Sequence, residues 1–491
     1  MIRYLKTNDH AEKMEAMDGD SILHLGMKQL MPLWICVLIG VLFFPISGHP
    51  EATHHPDTQL HSGAYAFING QWFNGEQFIT KPMYSKNGIL THSNPDQIEK
   101  TVDLRKGFVI PPFGEAHTHN VEGIWNIDRV IHHYLRDGIF YVKNPNNIPE
   151  LVDKIRHRLN TPVSIDVTFA HAGLTGPNGH PIDLYEDILR INRYEPVIGK
   201  RENGWFEGRA YFSIANVKDL QEQWPAITRT KPDFLKIYLA DSEQFHTHNP
   251  HNHHGFRRGL DPVLIDTIVT MAHQQGLRVS AHVETAADFR LAIRGGVDEI
   301  AHLPGWFLPS AAHRSAVQLT QEDAQLAAKH QVTVVTTTVA GHVHPSLHSH
   351  AHSGAKLQKT SSSHHDHQQP PAHNISDMAK VIQANNLTLL HQAGVKIAIG
   401  SDHAETALAE ALNLYHLNIF DNLTLLKMWC ETTPQTIFPT RKIGRLDEGY
   451  EASFLVLAGN PIEDFMNVQT ITLRMKQGVT LSEKPDSVAN N

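Results

Sequence analysis

From residue 108 to residue 402 the chain repeats one unit: a short apolar run, a loop, and a stretch with helical spacing. The apolar runs are FVIPPF (108–113), GIFYVK (138–143), VSIDVTFA (163–170), FLKIYLA (234–240), LRVSAHV (277–283), VDEIAHL (297–303), VTVVTTT (332–338) and VKIAIGSD (395–402). Between several of them lie segments such as DPVLIDTIVTMAHQQ (261–275) and AADFRLAIRGG (286–296), which read as helices. Eight strands with intervening helices is the count of a (β/α)8 TIM barrel, an α/β fold whose active sites form at the C-terminal ends of the strands.

The sequence around this repeat has another texture. Residues 64–104 read as short strands broken by turns, among them AYAFING and QWFNGEQF. Past Arg441 the same pattern returns in KIGRLDEGYEASFLVLAGNP (442–461) and VQTITLRMKQGVTL (468–481). The two flanks, 64–107 and 442–482, are expected to meet as one small β-sandwich beside a barrel spanning 108–441.

At 491 residues the chain is long for one core, although barrels often run long. Its formal charge of -9, with no compact basic stretch, argues against nucleic acid as a partner. Histidine is the outlier, at 36 copies against two cysteines. That surplus points to imidazole chemistry, in one site or in metal-gathering loops. Two stretches concentrate it: HTHNPHNHH (246–254) after the fourth strand, and 341–374 after the seventh, where histidines stand among Ser, Gln, Pro and Gly. Both would lie at the C-terminal face of the barrel. They read either as loops that gather zinc near the mouth of the site or as solvated insertions with no task.

Residues 33–46 (LWICVLIGVLFFPI) form an apolar run of roughly 14 residues, short of the roughly 20 that a spanning helix needs. The length suits a secretory signal peptide within 1–48, and a start at Met27 would put Lys28 directly ahead of it. The expectation is a secreted or periplasmic protein, membrane-anchored where the segment stays uncleaved. Cys36 falls inside this run, so removal leaves Cys430 alone and no intramolecular disulfide.

Six side chains stand where barrel chemistry would need them. His117 and His119 follow the first strand one residue apart, and alternating side chains put both on one face. An H-x-H alone is weak evidence in so histidine-rich a chain, since HTH recurs at 246–248 and HVH at 342–344. Lys236 interrupts the apolar FLKIYL; such a lysine is ordinarily salt-bridged or snorkelling, but once carbamylated by CO2 it becomes a carboxylate. His282 and His302 end consecutive strands. Asp402 ends the eighth strand, either as the N-cap of a helix from about Ala404 or as a metal ligand.

Taken together, a histidine pair on strand one, a lysine on four, histidines on five and six and an aspartate on eight resemble the amidohydrolase superfamily, in its binuclear subtype with a carbamylated lysine. The resemblance runs from about residue 64 to 481. GRLDEGYEASFLVLAGNP is similar to that family's closing phrase G-x-L-x-x-G-x-x-A-D-x-x-V-L. SAHVETAADFRLAIRGGVDEIAHLPG (280–305), VKIAIGSDHAET (395–406) and FAHAGLTGPNGHP (169–181) resemble its prolidase-like and imidazolonepropionase-like branches. Glu115 departs from the Asp that commonly precedes the H-x-H, and Ser453 from the Asp of the closing phrase.

The resemblance implies two divalent ions, with zinc favoured by the histidines. His117, His119 and Asp402 would hold one ion and His282 and His302 the other, with carbamylated Lys236 bridging both. A shared hydroxide would attack a small-molecule amide or peptide-like bond, as in a dipeptide or N-acyl amino acid, and Asp402 would move the proton. Tyr238, two residues beyond Lys236, and His171, from strand three, could steady the oxyanion or serve only in packing. A zinc-binding or zinc-storage protein on a hydrolase scaffold is the alternative from another class.

Overall fold

The computed structural model describes residues 63–247, 258–340 and 372–481. The apolar run at 33–46, Met27 and Cys36 lie outside the described residues, as do 248–254 of the first histidine-rich stretch and 341–371 of the second. Among the described residues no helix is long and apolar enough to cross a membrane. Cys430 is buried and unpaired.

Ten short strands run parallel in two sheets. Phe113–Glu115, Ile139–Asn144 and Asp166–Phe169 form one. The other runs in the order Tyr211–Ser213, Gly173–Thr175, Leu235–Tyr238, Val279–His282, Glu299–Ile300, Thr333–Val335 and Lys396–Ala398. Backbone hydrogen bonds link the two sheets: Ala116 N–H donates to the Ile399 carbonyl at 2.9 Å, and Asp233 N–H donates to the Phe169 carbonyl at 2.8 Å. Helices alternate with the later strands. Ala286–Arg294 and Gln321–Lys329 each begin with a reciprocal capping box, from Thr285 with Asp288 and from Thr320 with Asp323. The architecture is a TIM-barrel-like α/β fold.

The flanks form two further sheets. Ile89–Thr91, Met83–Lys86, Ala64–Ile68 and Lys100–Asp103 make a four-stranded one. The six-stranded sheet orders Val479–Leu481, Ile471–Lys476, Phe454–Leu457, Phe108–Ile110, Gln71–Phe73 and Phe78–Thr80, so it draws on both flanking segments. Phe67, Trp72, Met83, Leu90, Phe454 and Met475 share one buried cluster, and the Phe67 and Phe454 rings meet edge to face at 5.0 Å.

The strands differ from the sequence expectation in two respects. FVIPPF is not one strand: Phe108–Ile110 pairs antiparallel with Phe454–Leu457 in the flanking sheet, and the parallel array begins only at Phe113. Pro111 and Pro112, which have no N–H to donate, end the first ladder. The strands Gly173–Thr175 and Tyr211–Ser213 were not among the eight expected; they pair parallel with each other, the second after an inserted segment with its own cluster of Tyr185, Tyr194, Phe206 and Tyr211.

Candidate active site

The first strand stops at Glu115; the chain then bends on either side of Thr118, which makes an isolated parallel bridge with Asp402. The His117 and His119 rings lie 5.4 Å apart, and Nε2 of each faces Asp402. The two strand ends are tied closely: Ser401 and Asp402 N–H groups donate to the His117 carbonyl at 3.1 and 2.7 Å, and His119 N–H donates to the Asp402 carbonyl at 3.2 Å. Gly400 permits this approach, since a Cβ there would stand 2.8 Å from His117 Cβ. Glu115 fastens the same junction, accepting from Ser401 N–H at 2.8 Å and Ser401 Oγ–H at 2.6 Å. Burial raises its carboxyl to a pKa of about 8 against these bonds.

Register brings the middle strands to the same end of the array. Lys236 pairs with Ser280 and Tyr238 with His282. His302 follows Glu299–Ile300 by two residues. The imidazoles then pack against one another across strands, with ring centroids 4.4 Å apart for His117 and His302 and 4.6 Å for His282 and His302. Trp306 stacks on His302 at 4.7 Å.

Asp402 adopts a left-handed backbone, φ 57°, and caps no helix. The following helix, Ala407–Leu417, is capped by Thr406, whose hydroxyl accepts from Leu408 N–H. Asp402 Oδ1 instead faces three imidazoles: His119 Nε2 at 3.4 Å, His403 Nε2 at 3.5 Å and His117 Nε2 at 3.7 Å. His117, His302 and Asp402 offer ligand atoms within 4.8 Å of one another.

Each histidine is held by one ring nitrogen. His117 Nδ1 contacts the Ala301 carbonyl at 3.1 Å, His302 Nδ1 the Thr337 hydroxyl at 3.0 Å, and His119 Nδ1 the Glu122 carboxylate at 3.1 Å. These three rings therefore present Nε2 inward, whereas His282 engages Glu284 through Nε2 at 2.9 Å, so a ligand bond from it would come from Nδ1. His117 Nε2, Lys236 Nζ and Asp402 Oδ1 are buried with no hydrogen-bond partner, an arrangement that is costly without a bound species. Buried imidazole nitrogens, a carboxylate oxygen and an amine that can take up CO2 are a fitting donor set for divalent ions. Burial, then neighbouring charge from Lys236, holds His117 well below the ordinary histidine range, which keeps it a neutral ligand. Burial also lowers Lys236 to a pKa of about 7, against the pull of Asp402 and Glu299.

Tyr238 lies at the edge of this cluster, its ring 5.5 Å from that of His282 and 5.4 Å from Lys236 Nζ. Gly173 makes room for it: a Cβ there would fall 2.5 Å from Tyr238 Cε2. Asn146 Nδ2 donates to the Tyr238 oxygen at 2.6 Å, and Tyr185 O–H donates to Asn146 Oδ1 at 2.7 Å. With the Tyr238 oxygen accepting from Asn146, its own proton can go to a further partner. Burial raises the phenol well above its usual range, so it stays protonated.

His171 is not brought to the cluster. Its Nδ1 contacts Asn147 Oδ1 at 2.7 Å, and its ring lies parallel to Phe169 at 6.0 Å. Its left-handed φ of 59° turns it off the strand line, and burial lowers its pKa to about 4. Its contacts, to Asn147 and Phe169, match the packing role, the other of the two readings open to it. Other residues come to the site unforeseen. His180 sets its ring 4.8 Å from His282 and 5.4 Å from Tyr238. It belongs to the glycine-rich phrase 169–181, and that was the one signal that could have found it. His403, beside Asp402, stacks on His119 at 5.5 Å. Glu122 and Asn146 carry no spacing signal at all.

Residues 179–481 match the family model described as amidohydrolase family. No curated protein matches the chain in sequence. Among solved structures, an amidohydrolase aligns with a TM-score of 0.61 at 18% identity, over 86% of this chain and 100% of its own. A prolidase complexed with N-methylphosphonate-L-proline gives 0.60 at 17%, over 86% and 100%. The ochratoxinase of A. niger gives 0.60 at 16%, over 85% and 96%. At such identities the likeness is one of fold.

Proposed function

The chain belongs to the amidohydrolase family, hydrolases of carbon–nitrogen bonds, and from that premise we propose that it is a secreted, zinc-dependent enzyme that cleaves peptide-like amides such as dipeptides or N-acyl amino acids. The observation that carries this reading is the convergence of three unpartnered buried atoms, His117 Nε2, Lys236 Nζ and Asp402 Oδ1, at one end of the parallel strands. We read the two parallel sheets, from Phe113 to Ala398, as the wall of a barrel, and the two flanking sheets, which begin at Ala64, take in Phe108–Ile110 and end at Leu481, as a composite β-sandwich. The run at 33–46 is read as a signal peptide.

His117, His119 and Asp402 would hold one ion, His282 and His302 a second, and Lys236, as its carbamate, would bridge them. At a pKa of about 7 a substantial fraction of Lys236 is the neutral amine at neutral pH, the form whose lone pair adds CO2 with loss of a proton. When bound, a pair of divalent ions supplies a Lewis acid for the scissile carbonyl and brings the pKa of a coordinated water towards about 7. Asp402 Oδ1 takes the proton released as water attacks and returns it to the departing amine nitrogen. The Tyr238 hydroxyl donates to the carbonyl oxygen as charge develops there. Trp306, stacked on His302, and His180, beside His282, would shield that side of the site from water.

The test is metal analysis of the purified chain joined to a screen of dipeptides and N-acyl amino acids for amine release. Two ions per chain with turnover on one of these classes is the expected result. Stoichiometric metal without turnover on any amide favours a zinc-binding protein, and the absence of both metal and turnover overturns the proposal. On the substrate so found, Tyr238→Phe is expected to lower kcat by roughly 100-fold, the typical loss for one oxyanion donor, with bound metal unchanged. Asn146→Asp, which turns the donor facing the Tyr238 oxygen into an acceptor, should cost a similar factor alone and little more in the Tyr238→Phe background. Additive losses would separate Asn146 from Tyr238.

A further inference from the structure

We infer that Glu122 and Glu284 are positioning residues that divide the two ions between them, each fixing the ring of one ligand histidine; the inference rests on the two-ion reading above. An imidazole offers a lone pair to a cation from one nitrogen only while the other carries the proton. A carboxylate accepting at that second nitrogen sets both tautomer and ring plane, and makes the ligand more basic. Two of the four ligand rings lean on neutral acceptors, His117 on the Ala301 carbonyl and His302 on the Thr337 hydroxyl. The other two lean on carboxylates, His119 on Glu122 at 3.1 Å and His282 on Glu284 at 2.9 Å. His119 lies on the Asp402 side, 3.4 Å from Oδ1, whereas His282 packs against His302 with ring centroids 4.6 Å apart. One anionic partner therefore falls to each proposed ion.

The two glutamates are held differently, Glu122 through its carboxylate and Glu284 through its backbone. Glu122 is 1% exposed; Tyr194 O–H donates to its Oε2 at 2.9 Å, and Arg193 Nε stands 3.4 Å from the same oxygen. The Arg193 guanidinium also donates to the His119 carbonyl at 2.6 Å. Arg193 and Tyr194 end the helical stretch Leu184–Tyr194, so the segment inserted after strand three reaches back to hold a histidine that follows strand one. Glu284 is fixed through its backbone, where its N–H donates to Asp288 Oδ2 at 3.1 Å, the same aspartate that closes the capping box of Ala286–Arg294.

The experiment is zinc titration of the metal-free full chain against a chromophoric chelator, for the wild type, Glu122→Gln, Glu284→Gln and the double variant. Glutamine keeps the shape and an acceptor oxygen but removes the charge. Each single variant is expected to weaken one of two zinc ions by about 10–100-fold and leave the other unchanged. The double variant should weaken both; a double variant that keeps one tight ion would mean that both glutamates serve the same ion, and would overturn the division. Tyr194→Phe, which withdraws one hydrogen bond from Glu122 without touching His119, guards against a variant that fails to fold, and should weaken a single ion severalfold. Wild-type affinity for two ions in all variants overturns the positioning roles. Fewer than two ions on the wild type overturns the two-ion reading on which they rest.

Discussion

Lys236→Ala and Lys236→Met are both expected to lose at least about 1000-fold in activity and to retain at most one zinc ion, while the metal-free methionine variant keeps its stability. The two halves of this expectation have a common origin. Lys236 Nζ is buried among His117, His302 and Asp402 without a hydrogen-bond partner. A lone ammonium in that place is a burden on the fold, because water that solvated it in the open chain has no replacement. Methionine fills the same volume and carries no charge, so its metal-free form should unfold at the same denaturant concentration as the wild type or a higher one. A residue that the fold tolerates at a cost and the function requires is the signature of a site rather than of a core. The alanine variant adds a second readout, since its cavity is open at the position of the lost carboxylate. Acetate or propionate should restore part of the zinc binding and activity there, and should do nothing for the methionine variant. Full metal and full activity in both variants would eliminate Lys236 as a bridging group.

Much of this site could be read from the sequence because its residues break a pattern. A lysine in FLKIYL and histidines at the ends of LRVSAH and VDEIAH are conspicuous against apolar strands, and register then brings them to one end of the sheet. The capping boxes at Thr285 and Thr320 are local too, each formed between a threonine and an aspartate three residues on, but they appear only in the structure. What could not be read depends on contacts between distant segments. Nothing in the spacing of Glu122 announces that Tyr194 and Arg193 will meet it across an inserted helix. Asn146 gains its meaning only from Tyr185 and Tyr238 on either side. His171 stood between two readings, oxyanion or packing, and the contact that bears on the choice, from its Nδ1 to Asn147, depends on a neighbouring loop and not on spacing. FVIPPF shows the same limit, in that apolar content predicts a strand but two prolines decide which sheet receives each half.

Asp402→Asn is the second substitution with a large expected effect, a fall in kcat of at least about 1000-fold with little change in the fold. Its backbone is left-handed, φ 57°, and asparagine is the residue other than glycine that accepts this conformation most readily. The main-chain bonds of Asp402 to the His117 carbonyl, and from His119 N–H to its own carbonyl, need no side chain. Helix Ala407–Leu417 has Thr406 for its cap and does not depend on residue 402. Stability of the metal-free variant should therefore stay within about 1 kcal/mol of wild type, whereas Asp402→Ala would add backbone strain of about 1–2 kcal/mol and confuse the comparison. The amide leaves the three facing imidazoles in place but removes the negative charge between them and the acceptor for the proton of the attacking water. Zinc should bind more weakly but still bind, since the nitrogens of His117 and His119 remain. Turnover should collapse by the factor that general-base removal and lost charge together imply. Near wild-type kcat in the Asp402→Asn enzyme would show that the proton leaves by another route, and His403, 3.5 Å from the same oxygen, would be the group to substitute next.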